Sequence, residues 1–242
     1  MGKTTTAVSL AAILAQRGKR VLLVDLDPQA NATSSLGIDK NALSSSVYDL
    51  LLSGQVTEGL VILSNVIGLD LIPSTPGLAG AEIELVDVDH REMRLRQGLV
   101  SLRARYDYIL IDTPPSLGLL TLNALSAADG VIIPVQCEYL PLEGLTQLLR
   151  TIELVRQRLN PELVVRGLVL TMYDTRTNLS RQVVQDVRSH FPATVFQAII
   201  PRSIKLSEAP SYGEPITLYA PDSYGSVAYN ALCDELLAGE DS

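Results

Sequence analysis

Along this chain, short unbroken apolar runs alternate with longer segments in which apolar residues recur every three or four positions. The runs are Arg20–Asp25 (RVLLVD), Leu69–Pro73, Tyr108–Asp112 (YILID), Gly130–Val135 (GVIIPV), Val164–Thr171 and Val195–Ile200. All are rich in Val, Ile or Leu, the mark of strands covered on both faces. The periodic segments predict helices over Thr4–Gln16, Leu78–Arg105, Leu119–Ala127, Leu142–Leu159, Ser180–Phe191 and Ser223–Leu237. Because strand and helix alternate and crossovers are right-handed, the expected fold is α/β with a doubly wound, mostly parallel sheet. On such sheets ligands bind beyond the carboxyl ends of the strands. No internal repeat or low-complexity tract interrupts the pattern; Ser44–Ser46 and Gly239–Ser242 read as loop and terminus.

Composition narrows the picture. A chain of 242 residues, 47% hydrophobic and 19% charged, suits one sizeable core rather than disorder, so a single domain over 1–242 is expected. No run approaches the roughly 18 apolar residues of a bilayer span and no secretory signal opens the chain, so no membrane association and a cytoplasmic location are expected. Cys137 and Cys233 are too few for a disulfide framework and each lies in an apolar segment, so both are expected as buried thiols. His90 and His190 have no ligand-like companions, so neither is assigned to a metal. The net charge of −8 repels nucleic acid on average and leaves DNA binding to a local basic patch.

Candidate chemistry begins at the first residues. Gly2-Lys3-Thr4-Thr5 runs straight into an apolar helix and matches the second half of a phosphate-binding loop, G-x-x-x-x-G-K-[ST]. In that motif backbone amides cradle phosphate, the lysine neutralises it and the hydroxyl meets Mg²⁺. Alone, the same residues also read as the polar start of a helix. Two further features strengthen the phosphate reading. A buried strand delivers Asp25 and Asp27 in VDLDPQ, and the strand YILID ends in Asp112, placed as a carboxylate near a nucleotide-bound magnesium would be.

Five stretches carry a family resemblance: VLLVDLDPQANATSSLG, YDYILIDTPPSLGLLTLNAL, VIIPVQCEYLPLEGLTQLLRTI, TMYDTRTNLS and IPRSIKLSEAPSYGEPI. The chain resembles the ParA/Soj partition ATPases of chromosomes and plasmids, from Gly2 to about Leu237. The resemblance implies a P-loop NTPase-like fold of the SIMIBI class, the cofactors ATP and Mg²⁺, and an ATP-dependent homodimer. It also implies non-specific DNA binding, stimulation by a ParB-like partner and association with the nucleoid. By the same resemblance Gly2, Lys3, Thr4 and Thr5 are the phosphate contacts, Lys3 and Asp27 the catalytic pair, and Thr4, Asp25 and Asp112 the metal region. Pro201 and Ser203 fall where the family's IPRN segment holds base and ribose, with Ser203 in place of Asn.

The sequence departs from the family in two places. Relatives carry a strand and then KGGVGKTT, whereas here Met1 stands at the valine, so the first strand and the signature lysine are absent from the sequence. A start at Met1 is expected to leave two strand edges unpaired and ATP binding weak, and an upstream reading frame with strand and loop is the expected explanation. The C-terminal segment GEPITLYAPDSYGS is acidic or neutral where relatives are basic, leaving Arg181, Arg188, Arg202 and Lys205, with Arg91, Arg94 and Arg96, as DNA candidates. A catalytically impaired binding protein is one alternative. A MinD-like membrane-cycling ATPase is another, disfavoured by the acidic ending CDELLAGEDS.

Overall fold

The computed structural model describes residues 2–138 and 142–239. In chain order these form α1 (Lys3–Gln16), β1 (Val21–Asp25), α2 (Asn31–Ser35), α3 (Val47–Ser53), β2 (Ile62–Leu63), β3 (Leu69–Ile72), α4 (Leu78–Glu84), α5 (Arg94–Leu99) and β4 (Tyr108–Asp112). They continue as α6 (Leu119–Ala127), β5 (Gly130–Gln136), α7 (Leu142–Arg158), β6 (Val164–Tyr173), α8 (Asn178–His190), β7 (Val195–Pro201), α9 (Ile204–Glu208), α10 (Ile216–Tyr219) and α11 (Tyr224–Ala238).

The strands lie in two sheets, ordered β2-β3-β1-β4 and β5-β6-β7. All pairings are parallel except the short β2–β3 pair. Among the described residues β4 and β5 each have a hydrogen-bonded neighbour on one side only, the two unpaired strand edges expected from the sequence. Helix α1 bridges the seam by packing against β1, β3, β4 and β5. Its interior residues, from Val8 to Ala15, are all buried, as befits a helix enclosed between layers.

Strand β1 sits between β3 and β4, and its alternation distributes the core. Val21 and Leu23 join a cluster with α1 that reaches across the seam to Val169, Ile200, Tyr229 and Leu232. Leu22 and Val24 point the other way, into a cluster formed with α3, α4, α5 and α6. A third cluster lies between the second sheet and helices α6, α7 and α8. Every β1 residue is buried, whereas Tyr108 to Ile111 of β4 are only half-buried.

One predicted element breaks up. The helix expected over Leu78–Arg105 is α4, a 3-10 turn over Arg91–Met93, and α5. Between them the polar stretch Asp87–His90 turns the chain, and His90 adopts a left-handed φ of 54°. Several short elements lay below the periodicity signal. Helix α3 starts from Ser46, whose side chain caps Tyr48 N while the Asp49 carboxylate accepts from Ser46 N at 2.8 Å. Near the C-terminus, Pro210, Gly213 and Pro215 chop the chain into α9, a 3-10 turn and α10. Among the described residues no helix is long and apolar enough to cross a membrane.

A phosphate-type cleft at the start of α1

The N-terminus of α1 opens the site. Gly2 precedes it with φ 76° and ψ 10°, a left-handed conformation that side-chain-bearing residues rarely adopt. No side chain caps the helix and no acidic residue occupies its first turn. Its leading amides are therefore left for a ligand, and the helix dipole adds partial positive charge at the same end. Lys3 is half-buried there; desolvation lowers its pKa, while the charges of Asp112 and Asp27 oppose that fall.

A cleft of ≈ 460 Å³ lies against this end. Gly2, Lys3, Thr4 and Thr5 form one wall, Asp27 and Gln29 another, and Pro115 and Pro210 reach its rim. The chain brings Asp27 here because β1 ends at Asp25 and the next residues turn: Gln29 N donates to Asp27 Oδ1 at 2.9 Å and Ala30 N to Asp27 O at 2.9 Å. Two more carboxylates lie just behind, since Asp25 and Asp112 are register partners on the adjacent parallel strands β1 and β4. They are 0% and 2% exposed.

These two acids are furnished differently. Asp25 Oδ2 accepts the Thr33 N–H at 2.8 Å and the Thr33 hydroxyl at 2.7 Å, and Asp25 Oδ1 accepts the Asp27 N–H at 3.2 Å. Burial pushes its pKa up to about 6 in spite of these donors. Asp112 is pushed to about 7 by burial, opposed by a hydrogen bond from Thr4 and reinforced by the neighbouring Asp25 and Asp27 charges. Among the described residues Asp112 Oδ2 has no hydrogen-bond partner. A buried carboxylate oxygen without a donor, next to a threonine hydroxyl and an uncapped helix N-terminus, fits a hard cation with oxygen ligands. Among the described residues no group of three or more His, Cys, Asp or Glu is placed to hold a metal by itself. Mg²⁺ needs no such cage, because it is commonly held by one or two protein oxygens together with phosphate and water.

Comparisons with known proteins identify the family. A family profile described as an AAA domain matches residues 1–165. The chromosome partitioning protein ParA of Myxococcus xanthus is 54% identical over 98% of this chain and 84% of its own length. The sporulation initiation inhibitor protein Soj of Bacillus subtilis is also 54% identical, over 98% of this chain and 94% of its own. This chain belongs to the ParA/Soj family of chromosome-partitioning ATPases.

Solved structures extend the likeness. A Mycobacterium smegmatis protein named cobyrinic acid a,c-diamide synthase, with bound ATP analogue and magnesium, superposes with TM-score 0.87 at 41% identity, over 100% of this chain and 91% of its own. The Pyrococcus furiosus cell division ATPase MinD superposes at 0.77 with 25% identity, over 98% and 93%. The fold of this ParA/Soj-family chain is thus the α/β one that the strand and helix pattern implied, and P-loop NTPase-like as the family resemblance implied.

The other predicted site residues fall outside the cleft lining. Pro201 ends β7, paired with Tyr173, and Ser203 precedes α9. Most of the basic DNA candidates have intramolecular partners: Arg202 with Glu138, Lys205 with Glu208, Arg181 with the Thr175 carbonyl, Arg188 with that of Gln197, and Arg91 with that of Val86. Arg94 is committed to structure, its guanidinium donating to the Leu51 and Leu52 carbonyls at the end of α3. Sequence reasoning missed Thr33, Ser74, Gln29 and Pro210. The first and third lie inside the quoted DPQANATSS stretch, but nothing local marks a buried threonine as a partner of an aspartate eight residues earlier.

Proposed function

We propose that this chain is a Mg²⁺-dependent ATP hydrolase acting in chromosome or plasmid segregation. The observation that carries the reading is the uncapped, glycine-led start of α1, with Lys3 and Thr4, facing a cleft walled by Asp27 and backed by Asp112 with its free oxygen. The amides of Gly2 to Thr5 bind phosphate oxygens and Lys3 neutralises them. Thr4 and Asp112 hold the metal, with Asp25 supporting them from the end of β1. The metal, when bound, adds positive charge against the transferring phosphoryl group. Asp27 accepts a hydrogen bond from the attacking water and orients it, in keeping with a reaction that needs positioning more than covalent chemistry. Pro201 and Ser203 contact base and ribose.

The family's further properties come with this reading: an ATP-dependent homodimer, a ParB-like partner, non-specific DNA binding, and a cytoplasmic, nucleoid-associated location within one domain over 1–242. Asp27→Ala tests the mechanism. Turnover should fall by about 100-fold or more while ATP still binds, so that an ATP-bound dimer accumulates in sedimentation experiments. Turnover at the wild-type rate would remove Asp27 from the role.

A further inference from the structure

Thr33 in α2 and Ser74 just past β3 are both 0% exposed, and neither lines the cleft. Ser35, in the same helix, shows what a helical hydroxyl ordinarily does: it donates to the carbonyl four residues back, Asn31 O, at 2.7 Å. Thr33 instead turns its hydroxyl onto Asp25 Oδ2 and reinforces it with its own N–H. Having given its single proton away, the hydroxyl has only lone pairs left, and one of them accepts the Ser74 N–H at 3.0 Å. Ser74 Oγ in turn donates to the Asp27 carbonyl at 2.8 Å. The ring closes through the Asp27 N–H on Asp25 Oδ1. Three segments, the end of β1, α2 and the end of β3, are thereby tied around the turn that carries Asp27. Within that turn Ala30 is held at φ 54°, a conformation that persists only when its surroundings impose it.

We propose that Thr33 and Ser74 are positioning residues that lock the turn over residues 26–33 and so fix the Asp27 carboxylate in the cleft. The proposal rests on the hydrolase reading above. Its test uses the whole chain with Thr33→Val, Thr33→Ser and Ser74→Ala. Thr33→Val keeps the shape but loses both roles of the hydroxyl. It should lower kcat for Mg-ATP by about 10- to 100-fold, as loss of an outer-shell partner does. KM should change by less than about threefold, since ground-state binding through Gly2 to Thr5 is untouched. Thr33→Ser restores the hydroxyl and should restore kcat.

A second readout does not depend on turnover: amide hydrogen exchange over residues 26–36 of the nucleotide-free chain should speed up in Thr33→Val. Should that variant fail to fold, Ser74→Ala removes only the bond to the Asp27 carbonyl and carries the same two expectations. Wild-type exchange in the variant would overturn the lock. So would a rise in KM without loss of kcat. A wild-type chain without Mg-ATP turnover overturns the hydrolase reading and the positioning role with it, whereas unchanged exchange overturns the lock whatever the wild type does.

Discussion

Strands β1 and β4 run side by side and end at the same level in an aspartate, yet the two ends are built for different tasks. Asp25 has both oxygens occupied by three protein donors, and its strand is buried throughout. Asp112 keeps one oxygen without a partner, and its strand is half-buried and bonded on one edge only among the described residues. Burial raises the pKa of both, so the contrast is not one of solvent but of donors. A carboxylate satisfied by the fold organises the backbone around it. One left short of donors is available to a ligand.

The contrast breaks first at Asp25. Asp25→Ala leaves the Thr33 N–H, the Thr33 hydroxyl and the Asp27 N–H facing a void, and should cost about 2–4 kcal/mol of unfolding free energy in urea titrations. Asp112→Asn keeps an oxygen to accept from the Thr4 hydroxyl and strands none of the donors the fold already has. It should cost less than about 1 kcal/mol, yet abolish the rise in Tm that Mg²⁺ with ADP produces in the wild type. Equal destabilisation by the two substitutions would erase the distinction.

A smaller effect sharpens it through pH. Both carboxyls have folded pKa values raised from 3.8, to about 6 for Asp25 and about 7 for Asp112. A raised carboxyl binds its proton more tightly in the folded chain, so its contribution is greatest at low pH and is lost as pH climbs from the unfolded to the folded value. The nucleotide-free protein should therefore lose Tm between about pH 4 and 7, and Asp112→Asn should flatten the upper part of that slope. Asp107 and Asp174, held low by Arg20 and Arg176, act below this window. A Tm that rises steadily from pH 4 to 7 would contradict the placement of the buried pair.

Much of this arrangement was legible in the sequence for simple reasons. Apolar runs that stop at Asp25 and Asp112 announce strand ends, and strand ends of such sheets lie where ligands bind. The helix start at Gly2-Lys3-Thr4-Thr5 carries its chemistry locally. What the sequence concealed depends on distant contacts. Thr33 and Ser74 meet across 41 residues, and Pro210 reaches the cleft rim only because the segment around it is folded back against α2. The helix expected over Leu78–Arg105 failed for a local reason that overrides its apolar repeat: Asp87, Asp89 and His90 turn the chain, and His90 leaves the helical region. Pro201 and Ser203 came from resemblance alone, and that they do not line the cleft was not readable from residue type.

The central claim is that the start of α1 is a nucleotide phosphate site that works with a metal. Calorimetric titration of a non-hydrolysable ATP analogue into the wild-type chain and Lys3→Ala, each with and without Mg²⁺, tests it most directly. Saturable binding that requires Mg²⁺ and weakens by about tenfold or more in Lys3→Ala is the predicted result, since the variant loses a charge-assisted contact to phosphate. Equal affinity in the two proteins, or binding indifferent to Mg²⁺, would contradict it.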